Sequence, residues 1–177
     1  MTETTTTDAA TTESHAAQQV RAHVETWQER ADAVVKLREY EHETLADVRD
    51  RDGRDEVANV IAARELLELD ALDVEDGEDE TGDVAEGVDD VHERWGEGAL
   101  DAYVKGTRRA GGEWDIEGAV VVVTTGGPHV QLEYDGRDVV VAGWDWFGAD
   151  RTTRTLGEDA AELVVRAFAL DLLMEDC

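Results

Sequence analysis

Apolar residues recur at helical spacing through the first third of the chain. Val20, Val24, Trp27, Ala31 and Val34 follow one another at steps of four and three, which places them on one face of a helix starting near His15. Leu37, Leu45 and Val48 extend the stripe with a phase shift, and Arg30, Arg38, Glu39, Glu41 and Glu43 fill the wet face. Asp52-Gly53 punctuates the pattern, because glycine commonly ends a helix and aspartate can start the next. A second helix is predicted over 54–69, offering Val57, Ile61, Leu66 and Leu67 to a core. The pair forms an antiparallel helical hairpin or a single coiled-coil-like arm. Residues 73–87 read as an acidic loop, and 88–95 as a short helical turn ended by Gly96.

After Gly98 the period changes to two. Leu100, Ala102 and Val104 alternate over 99–107, and Trp114, Ile116 and the run 119–123 make a second strand. Gly126-Gly127-Pro128 is a turn signal. Val130, Leu132 and Tyr134 alternate in a third strand, and Asp135-Gly136 is a hairpin dipeptide. The fourth strand, 138–146, has Val139, Val141, Gly143 and Asp145 on one face and Val140, Ala142, Trp144 and Trp146 on the other. Residues 149–155 add a short edge strand. Ala160, Leu163, Val164, Ala167, Phe168 and Leu172 stripe a closing helix that covers one face of the sheet. The expected fold is α+β: an amino-terminal helical hairpin or arm, an antiparallel β-meander of about four strands and a C-terminal covering helix. The expected division is a disordered tail over 1–14, a helical region over 15–72, an acidic linker over 73–98 and an α+β domain over 99–177.

Charge then changes the picture. The 177 residues hold 44 Asp and Glu against 16 Lys and Arg, a net charge of −28. Only Lys36 and Lys105 are lysines. Such a surplus repels itself in dilute buffer and opposes compaction. Molar salt relieves this, as the Debye length falls from about 10 Å at 0.1 M to about 3 Å at 1 M. Asn59 and Ser14 stand alone of their kinds, and Ala, Val, Asp, Glu, Gly, Arg and Thr abound. This composition resembles that of salt-adapted proteins of haloarchaea. A sharper alternative is a nucleic-acid mimic, displaying carboxylates near the charge spacing of duplex DNA, about one per 1.7 Å. Five glycines within 70–101 fit a flexible acidic linker better than a rigid charge ruler.

The acid excess argues against direct binding to nucleic acid or to an anionic membrane. The first 14 residues lack the basic and apolar regions of a signal peptide, and no apolar run is long enough to span a bilayer. The single cysteine, Cys177, cannot form an internal disulfide, so a cytoplasmic location is expected.

Candidate chemistry is sparse. Gly126-Gly127-Pro128-His129 opens a strand and lacks the lysine and glycine spacing of a phosphate-binding loop. His129 with Asp145 or Asp150 would imitate an acid–base pair or part of a metal site, but His15, His23, His42 and His92 have no ligand spacing to it. Ser14 and Cys177 are poorly placed as nucleophiles. No catalytic residue, metal ligand or cofactor is therefore assigned. The aromatic residues are more suggestive: alternation puts Trp144 and Trp146 on one face, either packed against the C-terminal helix as core or exposed as a binding patch. Trp27, Trp114, His129, Trp144, Trp146 and Phe147 are the candidate interaction surface.

The run VVVVTTGGPHVQLEY, a hairpin and then GWDWF also resembles small proteins of tailed viruses and mobile elements, across residues 114–146. The resemblance carries over no site residues. The expected function is that of a small non-enzymatic accessory protein of a halophilic archaeon, its virus or its plasmid. It would act on an unknown protein partner, or self-associate through the amino-terminal helices. A nucleic-acid mimic, and a small enzyme near the Gly-Gly-Pro-His turn, are the alternatives.

Overall fold

The computed structural model describes residues 13–70, 72, 82–96, 99–125, 128–145 and 151–175. They form an α+β fold: α1 His15–Arg38, α2 Leu45–Asp52, α3 Arg54–Leu66, α4 Val91–Gly96, strands β1 Asp101–Arg108, β2 Trp114–Thr124, β3 His129–Tyr134, β4 Val139–Trp144 and β5 Arg151–Thr155, then α5 Glu158–Ala167 and α6 Leu170–Glu175. The strands run antiparallel in sequence order, a five-stranded meander rather than one of about four.

The phase shift after Leu37 marks a turn. The chain bends through residues 39–44, with His42 in the left-handed region at φ 70°, and α2 then starts on a capping box. Thr44 Oγ1 accepts from Asp47 N–H at 3.2 Å, and Asp47 Oδ2 accepts from Thr44 N–H at 2.9 Å. Three helices thus replace the expected two. In α3 the buried residues are Val60, Ala63 and Arg64, and Leu67 just beyond it is also buried; Ile61 and Leu66 face outward, against expectation. The expected single C-terminal helix is also two. Ala169, at φ 48°, breaks it between α5 and α6 and turns Leu172 out to 61 % exposure.

One face of the sheet is the core. Ala119, Val121, Val130, Leu132, Tyr134, Val139 and Val141 share an apolar cluster with Val20, Trp27 and Val34 of α1 and with Ala160, Leu163 and Val164 of α5. The cover is therefore α1 together with the C-terminal helices. α1 seats closely over β4, where a Cβ on Gly143 would lie 2.6 Å from Val20 Cγ2. Its start is tied to the same strand, because Asp145 Oδ1 accepts from Ala16 N–H at 3.0 Å while Ser14 Oγ accepts from Ala17 N–H at 3.2 Å. At the other end of the sheet Tyr134 donates to Asp171 Oδ1 of α6 at 2.8 Å. Burial first, and then this carboxylate, push the Tyr134 phenol up to about 12. The Asp135-Gly136 turn forms as read: Asp135 Oδ1 accepts from the N–H groups of Arg137 and Asp138, and Gly136 takes φ 90°.

Of the stretch read as an acidic linker, 73–81 and 97–98 lie outside the described residues. Within 82–96, Val84, Val88, Val91 and Trp95 are buried in the common core. Arg64 holds this stretch against α3, donating to the carbonyls of Val84 at 2.6 Å, Glu86 at 3.1 Å and Asp70 at 2.8 Å. A further cationic anchor of the helical layer is Lys36, bonded to Glu56, which also accepts from Tyr40 at 2.9 Å. The Lys36 bond first, then those from Asn59 and Tyr40, hold the Glu56 carboxyl down at about 2.

Candidate functional site

Strand alternation that sends Val130, Leu132 and Tyr134 into the core sends His129, Gln131 and Glu133 to the opposite face. In register beside them on β4 stand Val140, Ala142 and Trp144, followed on β5 by Arg151 and Thr153, while Tyr103 of β1 lies across from Val120. The helix-packed core cluster does not include Val120, Val122, Gln131 or Ala142, although all four are buried. They are the small or central positions on this face, flanked in register by longer side chains.

Those side chains form one network centred on Glu133. Lys105 Nζ donates to Glu133 Oε2 at 2.5 Å, Arg151 donates to Oε1 at 2.5 Å, and Gln131 Nε2 donates to Oε1 at 2.9 Å. Gln131 Oε1 then accepts from His129 Nε2 at 3.2 Å. The His129 ring leans on Trp144, with centroids 5.3 Å apart, and the Arg151 guanidinium lies over the same indole at 5.5 Å. Burial alone would raise the Glu133 carboxyl, but the hydrogen bonds from Lys105, Arg151 and Gln131 outweigh it and hold the group below the usual carboxylate range. A groove of about 400 Å³ runs beside the network, lined by Lys105, Glu117, Glu133, Val140, Arg151 and Thr153 among others.

The structure brings together His129 and Trp144 among the candidate residues. Of the two positions left open for Trp144, its indole takes the one on the face away from the helices: α1 needs Gly143, on the other face, for its approach. Trp27 is corrected. It is 5 % exposed, edge-on to Trp95 at 5.7 Å and Phe168 at 5.9 Å, with Arg30 over it, and belongs to the core. Trp114 is exposed, at the start of β2. It lies ten residues before Thr124, the register partner of Val130, and so about 30 Å along the strand from the His129 end. Trp146 and Phe147 lie outside the described residues. The imagined pair of His129 with Asp145 does not form, because Asp145 points to the helix side and caps α1. Asp150 lies outside the described residues.

Gln131, Glu133, Lys105 and Arg151 were missed from the sequence. The alternation of polar positions 129, 131 and 133 was a visible signal; the partners of Glu133 depend on strand register. Among the described residues no cluster of His, Cys, Asp or Glu could hold a metal ion, and no helix is long and apolar enough to cross a membrane. Comparison of the chain with family models, curated proteins and solved structures returns no match.

Proposed function

We propose that this is a non-enzymatic accessory protein of a salt-adapted cell, its virus or its plasmid, acting in the cytoplasm by contact with a protein partner. The contact surface is the helix-free face of the sheet around Trp144, His129 and Arg151. One observation carries the reading: among the described elements the helices pack on one face, while the opposite face presents a half-buried tryptophan beside a fixed polar network in which Lys105 and Arg151 share the single carboxylate of Glu133, leaving one positive charge in excess. Tryptophan and arginine are enriched at the centres of protein interfaces, with polar groups around them. The same network argues against acid–base work, since Glu133 is engaged by three donors and its carboxyl is shifted away from neutrality. The charge of −28 supports operation in brine, where self-repulsion is screened.

The test is affinity capture from a haloarchaeal extract in about 3 M KCl, where the Debye length is below about 3 Å. Wild type retains a partner that Trp144→Ala loses, while circular dichroism shows both folded. Equal capture by the two proteins contradicts the assignment of this face.

A further inference from the structure

We infer that two copies of the chain join through the outer edge of β1, paired antiparallel about a two-fold axis at Tyr103. This goes beyond the contact face proposed above and uses a different part of the same sheet, its β1 edge. Among the described residues β1 is the terminal strand of the meander, with β2 on one side only, and its eight residues are mostly exposed. Such an edge carries a row of backbone N–H and C=O groups that a further strand can pair with; the Ala102 N–H donates to Asp101 Oδ1 at 2.9 Å, which leaves the second oxygen of that carboxylate for a partner. Exposed apolar residues lie at the start of this edge. Leu100 and Tyr103 are both large hydrophobic residues exposed among the described residues.

Charge names the occupant. Along β1 an acid, Asp101, is followed by the bases Lys105 and Arg108. Antiparallel strands keep opposed residues on one face only when their numbers differ by an even count. With Tyr103 on the axis, Asp101 of each copy faces Lys105 of the other, and Ala102 faces Val104. Leu100, 59 % exposed, falls opposite Gly106, which has no side chain to obstruct it. An edge lysine commonly deters strand addition; here the opposing Asp101 makes it half of a reciprocal pair. Lys105 already donates to Glu133, and an ammonium with three N–H groups can serve a second carboxylate. The contact is isologous, so each pair occurs twice. Long-range repulsion between two chains of −28 opposes this union in dilute buffer. Molar salt removes it, while groups in direct contact lie within the remaining screening length of about 3 Å.

Sedimentation velocity of the full chain in about 3 M KCl reads the result directly. Wild type sediments as a dimer. Asp101→Lys, at an exposed position, weakens dimerisation by at least about tenfold, since two attractive cross-strand pairs become repulsive. In a Cys177→Ser background, Tyr103→Cys oxidises to a covalent dimer and Thr107→Cys does not. Circular dichroism checks that each variant is folded. A wild-type monomer at every concentration overturns the inference; so does a dimer that Asp101→Lys leaves intact and Tyr103→Cys fails to link. The capture experiment reads a different protein and a different residue. A monomer that still captures its partner through Trp144 overturns self-pairing alone, and a β1-linked dimer whose capture ignores Trp144 overturns the partner reading alone.

Discussion

The two faces of the sheet are made by the same strands and are held by different physics. On the helix face, Leu132, Val121 and Val141 are fully buried, and a glycine at 143 lets α1 approach β4. On the other face Glu133, its two cations and Gln131 fix one another, and Trp144 stays half-buried. The first kind of cohesion is not screened by salt and is intolerant of changes in volume. The second is adjustable and modest in strength, since partly exposed ion pairs contribute little and are screened. Val120, Val122 and Ala142 are buried on this face too, but the polar rim around Trp144 contributes little to folding and is free to be used for contact.

That contrast can be broken most severely at the centre of the helix face. Leu132→Ala removes a fully buried side chain and costs about 2–5 kcal/mol, read as a lowered midpoint in denaturant melts in molar salt. Gly143→Val forces α1 away from β4, and overpacking of this kind costs about 1–3 kcal/mol. Asp145→Ala leaves the Ala16 N–H without its acceptor and costs about 1 kcal/mol, with faster amide exchange confined to the first turn of α1. Glu133→Gln is the mildest, below about 1 kcal/mol in molar salt.

Glu133 and Tyr134, adjacent in the chain and on opposite faces, give the contrast a pH signature. The Glu133 carboxyl is held below its ordinary value of about 4.3, so its stabilisation is complete above that value and disappears as pH falls through the lower, folded one. Acid titration of Glu133→Gln shows a shallower loss of stability below about pH 4 than wild type. Tyr134 is raised to about 12, so its contribution is complete below its ordinary value of about 10 and disappears as pH rises through about 12. Tyr134→Phe removes that alkaline loss. Each variant changes one end of the pH profile and leaves the other unchanged.

Much of the fold could be read from period alone. The strand alternation of Val130, Leu132 and Tyr134, the Asp135-Gly136 turn and the stripe of α1 from Val20 to Val34 are local signals, and the structure keeps them. The breaks were harder. His42 and Ala169 are non-glycine residues in the left-handed region, so nothing in composition announces them. Ile61 and Leu66 look like core residues, but the core face of α3 is taken by Val60, Ala63 and the buried Arg64, whose guanidinium serves carbonyls up to 22 residues away. The candidate site was half legible: Trp144 and His129 were singled out, but alternation alone left open which face of the sheet the helices cover. Alternation says which residues travel together; the helix that covers them is decided by contacts such as Gly143 with Val20 and Asp145 with Ala16, distant in sequence.

The central claim is that the helix face carries the fold and the opposite face is available for contact. Thermal unfolding of the double variant Trp144→Ala/Arg151→Ala, beside Leu132→Ala in about 3 M KCl, tests it most directly. The account predicts a midpoint within about 4 °C of wild type for the double variant, the scale of about 1 kcal/mol in a chain of this length, and a several-fold larger drop for Leu132→Ala. A double variant that melts as low as Leu132→Ala would contradict it.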